Sequence, residues 1–494
     1  MTKKILSILL VAVIAFSVLV GCGKKKETVN PEPVTQQTAQ VIADTTSFKI
    51  SYTQSDSLNP YEADTLNNMV ADDLVYEPLF RSDESLDVQP ELAGSYSYEK
   101  PDVLYVTLVS GLEFSNGDAL DASSVVDAFN NAKKSSLWSA ALSPITNAEA
   151  VSDTVVSFNL SYKNEYAHKL LTFPIAKTVD GEKYALGSGR YKFTEGDGNV
   201  YAELNENYRE DFNPRFTRIQ LVNIPATDSI NNALNIGNIS YAYRSPGADD
   251  ISSLKCNKKR VSQNNLVYVG MNSSSSVASN VNIRKAVSLA IDRDTIVKSA
   301  YQGCAKSATS IFHPSSNLGR ETKMFFSSAD TAGAKQAIAK SGISSPSLTL
   351  LVNSNKLRIS AAQLIKQQLE AVGFKVNVRQ LGESEYFEAL KNGSYDIYLG
   401  ETKIPGDMRL SSFFDSSGAT AYGIDQSSSC ASAYGEYLNG EREIGGFTLE
   451  FSNDMPFAPL VYRDGIICYS KAIHGDIQGC YGDFFTNIED WYYN

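Results

Sequence analysis

Histidine is nearly missing from this chain of 494 residues: His168, His313 and His474 are its three, each far from the others. None lies in an H-E-x-x-H motif and no G-x-S-x-G elbow occurs, so neither short signature of a hydrolase is present. A triad assembled from distant segments has no support in the chain order. Cysteine is scarce as well, with six residues and no C-x-x-C pair, which removes zinc-ribbon and thioredoxin readings. Beyond Cys22 an odd set remains, Cys256, Cys304, Cys430, Cys468 and Cys480, so at least one thiol stays unpaired within the chain. Cys468 and Cys480 are the nearest of these in sequence, and both a bridge and two buried thiols stay open. Positive charge is in deficit: the formal net charge is −12, with no basic stripe outside Lys24–Lys26, which argues against a nucleic-acid partner. The pair Gly187 and Gly189 is not followed by either phosphate-loop pattern and reads as a strand turn. The apolar run Ile5 to Val20 is short of the roughly 20 residues that a membrane-spanning helix needs.

That run follows Lys3 and Lys4 and ends in Leu19-Val20-Gly21-Cys22, the layout of a cleaved secretory signal over residues 1–21. The last four residues resemble a bacterial lipoprotein cleavage box, which would make Cys22 the lipid-modified start of the mature chain. Each buried acyl methylene contributes about 0.8 kcal/mol, so two or three chains hold a protein durably at a bilayer. Lys24, Lys25 and Lys26 would add attraction to anionic head groups. Residues 27–45, rich in Thr, Gln, Pro and Glu, have little to bury; with Cys22 they form an anchor and flexible tether over 22–45. The remainder, about 450 residues, is too long for one core and predicts two or more domains.

Organisation is clearest at Val281 to Ala308. Ile283, Ala286, Val287, Ala290 and Ile291 fall on one helical face, and Asp292 offers an N-cap for a second helix with Ile296, Val297, Ala300 and Tyr301. As a string, "IRKAVSLAIDRDTIVKSAYQG" resembles the signature of bacterial extracellular solute-binding proteins of peptide and nickel ABC importers, the dipeptide/oligopeptide-binding family. Residues 103–129, an alternating strand followed by Ser115-Asn116-Gly117-Asp118 and a helix capped by Asp121, resemble the family's "LRxGVKFxDGxPxTAxDV" segment. Gly187 to Phe193, Tyr386 to Tyr398 and Met455 to Tyr462 match further family segments, with Arg190 where a proline is usual.

The resemblance implies an α/β, two-lobe periplasmic-binding-protein-like (type II) fold with an extra subdomain inserted in the first lobe. The first lobe would comprise residues 46–74, 176–268 and the C-terminal return 456–494. The insert would span 75–175 and the second lobe 269–455. Within that lobe, Leu348 to Val352, a helix to Val372, Gly373 and Phe374 to Val378 read independently as a right-handed βαβ unit.

The same resemblance points to residues at an interlobe cleft: Asp64 and Thr65 after the first strand, Trp138 in Ser135 to Leu142, Tyr243, Tyr268, Tyr422, Tyr462 and Arg463. Asp407 falls nearest the aspartate that, in peptide binders, pairs with a ligand amine, on a loop about two residues longer than theirs. Glu401 is a second acidic candidate. The function implied is capture of a small solute, most readily a short peptide, for delivery to an ABC importer permease. The chain would be a monomer, lipid-anchored outside the cytoplasm, with no cofactor and no catalytic residue. A metal chelate or oligosaccharide ligand, or a sensory receptor on the same fold, is the alternative.

Overall fold

The computed structural model describes residues 47–245 and 253–494. The signal-like run, Cys22, Lys24–Lys26 and the tether lie outside these residues.

Local signals fold as their chemistry directs. Asp121 caps the helix Ala122–Ala132 by accepting the Ser124 amide, and Asp292 caps Arg293–Ser299 through Thr295. The helix Lys356–Val372 ends at Gly373, whose φ of 113° suits a residue without Cβ. Its flanking strands, Ser347–Val352 and Lys375–Gln380, are parallel neighbours, as the βαβ reading requires.

Most strands join one eleven-stranded sheet. Its first half gathers Phe48–Tyr52, Tyr191–Gly196, Asn199–Leu204, Arg218–Asn223 and Tyr241–Arg244; its second half gathers Ser347–Val352, Lys375–Gln380 and Ile397–Lys403. Two long antiparallel strands, Asn257–Met271 and Phe457–Tyr469, run through both halves. Their pairing slips between Val261 and Asn265, so the regular ladder is interrupted there. Val261 belongs to the core of the first half and Leu266 to that of the second. The chain therefore passes from lobe to lobe at residues 262–264, inside a strand, several residues before the boundary at 268 drawn from sequence.

Residues 79–175 carry a core of their own, built on the four-stranded sheet Ala93–Lys100, Val103–Leu108, Val155–Leu160, Ile145–Ser152 and the helix Ala122–Ala132. The aromatic tail closes the first lobe, with Phe484, Phe485 and the fully buried Trp491 packed in its core. Arg190 holds that tail by donating to the carbonyls of Phe485 and Thr486 at 2.9 and 3.2 Å. All five described cysteines are free. Cys480 donates to the carbonyl of Ser82 at 2.8 Å, while Cys468 neighbours Cys256, just before the adjoining strand, so Cys468 and Cys480 are not partners.

Candidate functional site

Three strands of the second lobe, Ser347–Val352, Lys375–Gln380 and Ile397–Lys403, are parallel, so their carboxyl ends share one edge of the sheet. Ligands of open α/β sheets bind outside such an edge. Arg358 stands there on the first turn of the helix Lys356–Val372, and Glu401 near the end of Ile397–Lys403. The Glu401 carboxylate accepts from Arg358 Nε at 3.1 Å and Nη2 at 2.9 Å, and from Asn265 Nδ2 at 2.9 Å. Arg463 Nε pairs with its other oxygen at 2.6 Å. Asn265 and Arg463 are directly opposed on the two crossing strands. Two guanidinium groups share this one carboxylate beside the crossing. Arg463 Nη2 also reaches Ser245 Oγ of the first lobe at 3.5 Å.

Across from this lobe, the turn after Phe48–Tyr52 is organised by Asp56. Its carboxylate accepts from Thr65 Oγ1 at 2.6 Å, from the Thr65 amide at 2.9 Å and from the amides of Ser57 and Asp64. Partial burial opposes ionisation, but these hydrogen bonds prevail and hold Asp56 below the usual carboxylate value. Thr65 is thereby committed to Asp56 and to capping the helix Leu66–Asp72. Asp64 is exposed and accepts from Ser136 Oγ at 3.4 Å. Half-buried Trp138 donates to the carbonyl of Pro60 at 3.3 Å. Asp64, Thr65 and Trp138 thus share one patch where the turn meets the inserted unit.

The loop after Glu401 returns to that unit. Asp407 is buried and accepts from Asn164 Nδ2 at 2.9 Å and from Arg409 Nη1 at 2.9 Å. Arg409 Nη2 in turn donates to the carbonyls of Ala140 and Ala141 at 3.0 and 3.1 Å, next to Trp138. The carboxylate that the sequence offered to a ligand amine is neutralised from within by an arginine two residues along.

The remaining sequence candidates sit elsewhere. Tyr243, Tyr268 and Tyr462 are enclosed in cores. The Tyr243 hydroxyl accepts from Gln263, Tyr268 is wedged among Tyr398, Phe413 and Phe457, and Tyr462 donates to the carbonyl of Ile311 at 2.7 Å. Tyr422 packs edge-on against Tyr398, and the next residue, Gly423, accepts from the Ser273 amide at 2.8 Å. That is the end of the strand Asn257–Met271 away from the crossing. A concavity of about 620 Å³ lined by Asn272, Lys391, Asp396 and Gly423 occupies the same pole, at the amino ends of the parallel strands.

Sequence reasoning missed Arg358, Asn265, Asn164 and Arg409. Arg358 lies on the helix read for its apolar face, and nothing along the chain ties it to Glu401. Arg409 was legible in principle, since an opposite charge two residues from a buried aspartate is a ready internal partner.

Comparison with known proteins bears on this arrangement. Residues 87–421 match the family described as "Bacterial extracellular solute-binding proteins, family 5 Middle". The nickel-binding periplasmic protein of Escherichia coli is 24% identical over 393 residues, covering 70% of this chain and 73% of its own length. The oligopeptide-binding protein AppA of Bacillus subtilis is 24% identical over 441 residues, covering 79% of this chain and 78% of its own. The solved ABC transporter substrate binding protein CtaP of Listeria monocytogenes superposes with a TM-score of 0.72 at 21% identity, covering 90% of this chain and 99% of that one. The chain has the two-lobe fold of these proteins and belongs to the bacterial extracellular solute-binding proteins of family 5.

Proposed function

We propose that this chain is the lipid-anchored receptor of an ABC importer and that it captures a short peptide between its lobes. The observation that carries the reading is the pairing of a charged set, Arg358, Glu401 and Arg463, at the carboxyl ends of parallel strands with a turn and tryptophan segment approached by the loop that follows Glu401. Domain interfaces of this kind are where small ligands are buried, and closure is driven by contacts made to both lobes at once. In this reading Asp64 and Trp138 supply contacts from one side, and main chain near Glu401 with the Arg358 guanidinium supplies them from the other. Tyr243, Tyr268 and Tyr462 support the wall from behind, and Tyr422 takes no direct part. The N-terminal cysteine, Cys22, carries the lipid and holds the body at the outer face of the membrane.

A second reading follows from Asp407. Because Arg409 already satisfies that carboxylate, the ligand need not bring an amine, and a non-peptide solute, a metal chelate or an oligosaccharide, fits as well. Native mass spectrometry of the purified protein, followed by calorimetric titration with the released compound, separates the two. A peptide supports the first reading; a sugar or chelate replaces it with the second. Radiolabelled palmitate should enter the wild-type chain and not Cys22→Ser in the native host.

A further inference from the structure

A second cavity, of about 500 Å³, lies against the other part of the crossing strand and shares no residue with the set just described. Lys259, Arg260, Lys306 and Arg320 line it, with Glu84 as the one carboxylate among the lining groups. In a chain of net charge −12 this is a local reversal of sign. Three of the four cations are held by neutral oxygens, so they are positioned without being neutralised by those partners. Lys306 Nζ donates to Ser262 Oγ and to Ser315 Oγ, each at 2.7 Å; Arg260 donates to the carbonyl of Gly303 at 2.6 Å; Arg320 donates to the carbonyl of Ser315 and to Asn317. Lys259 pairs with Glu84 at 3.1 Å. Behind the wall, Asp464 is buried with neither carboxylate oxygen hydrogen-bonded, and burial raises its pKa to about 6 despite Lys306 and Arg260.

Ammonium, guanidinium and hydroxyl donors converging on one cavity suit a doubly charged tetrahedral oxyanion better than a monocarboxylate, because several donors can be met by one group. The walls come from different parts of the fold. Lys259 and Arg260 belong to the crossing strand below its slip, Lys306 and Arg320 to the second lobe, Glu84 to the inserted unit, and Gly479 to the C-terminal tail. We infer that this cavity is a phosphate-group site distinct from the solute cleft, and that its occupation biases the angle between the lobes. By linkage, an anion that prefers one lobe arrangement changes solute affinity, and the solute changes the anion's affinity by the same factor.

The test uses the full chain titrated with inorganic phosphate and with glycerol phosphate, against chloride at equal ionic strength, followed by calorimetry and melting temperature. Saturable binding that weakens at least about tenfold in Lys306→Gln/Arg320→Gln is expected. The variant should keep the wild-type circular dichroism spectrum and its chloride melting curve. Lys259→Gln provides a second, milder variant should the double one fold poorly. Vesicles containing phosphatidylglycerol form a separate arm. A wild-type-over-variant difference there, with none for the soluble anions, assigns the phosphate to a lipid head group; the opposite result assigns it to a free solute. Responses no larger than chloride's in both arms, or equal in wild type and variants, overturn the site. Solute binding in the main cleft is unaffected by that failure.

Discussion

At the residue scale, charge is the quantity that decides outcomes. Glu401 serves two arginines, and removing its charge leaves both facing each other in a setting only 10 to 18% exposed. Breaking a buried pair costs about 3–5 kcal/mol, and partial solvent access brings the expected loss for Glu401→Gln nearer about 2 kcal/mol. Urea unfolding measures it, and an unchanged midpoint would mean that solvent already screens the set. Asp464 acts in the other sense. Burial raises its pKa to about 6 from the ordinary aspartate value, so the folded chain binds this proton more tightly than the unfolded one. Its contribution is therefore fully present below about pH 4 and is lost as pH rises through 6, a cost approaching about 3 kcal/mol at neutral pH. Asp464→Asn should match wild type near pH 4 and exceed it at pH 7.5; a difference independent of pH would refute the assignment. These residues were hard to read in advance for a simple reason. Caps such as Asp121 and Asp292 meet partners three residues away, whereas Glu401 meets Arg358, Asn265 and Arg463 from three separate segments. Tyrosines at family-matched positions told as little about exposure: Tyr268 and Tyr462 lie in strand segments buried on both faces.

At the element scale the two crossing strands matter most, and their sequences advertise only half of what they do. The run Leu266–Met271 has the apolar content of a buried strand, but the polar stretch Asn257–Asn265 that extends it into the first lobe has no such pattern, and pairing with Phe457–Tyr469 imposes its conformation. Gly465 sits opposite Val261 at the edge of the slip, where a Cβ would overlap the Tyr243 hydroxyl and stand 2.6 Å from Gln263 Nε2. Tyr243 is packed against Phe484 and Tyr481 and has little room to withdraw. Gly465→Ala should cost about 1–3 kcal/mol as an overpacking change. Because it lies at the crossing, it should also slow solute-induced fluorescence changes in stopped flow. Loss of stability with unaltered closure kinetics would place the hinge elsewhere. The segment Gly187-Ser188-Gly189 leads into the strand Tyr191–Gly196 and packs through its backbone: a Cβ on Gly189 would come 2.6 Å from the carbonyl of Val75, and the Gly189 amide donates to that oxygen at 2.9 Å. It is a backbone packing contact between this segment and the end of the first helix.

At the scale of the whole molecule, the lobes are joined by more than the crossing strands. Asp407 and Arg409 form an ion pair at 2.9 Å with side chains 0 and 9% exposed, and through Asn164, Ala140 and Ala141 that pair ties the second lobe to the inserted unit. Side chains of the protein itself make this contact, so it favours the lobe arrangement in which they meet, and a ligand has to supply only the rest of the closing free energy. Arg409→Ala leaves a buried aspartate without its cation and two carbonyls without a donor, a loss of about 3 kcal/mol. Each lobe keeps its own core, so the loss should appear as opening, not as unfolding: roughly a hundredfold shift in the open-to-closed ratio. Small-angle scattering of the ligand-free variant should give a larger radius of gyration than wild type, saturating solute should restore it, and the apparent affinity should fall by a similar factor. Asn164→Ala removes a neutral partner of the same carboxylate and should move all three readouts in the same direction by less. If Arg409→Ala lowers the melting temperature while the radius stays fixed, the pair is an ordinary packing contact and the lobes are held by the crossing strands alone.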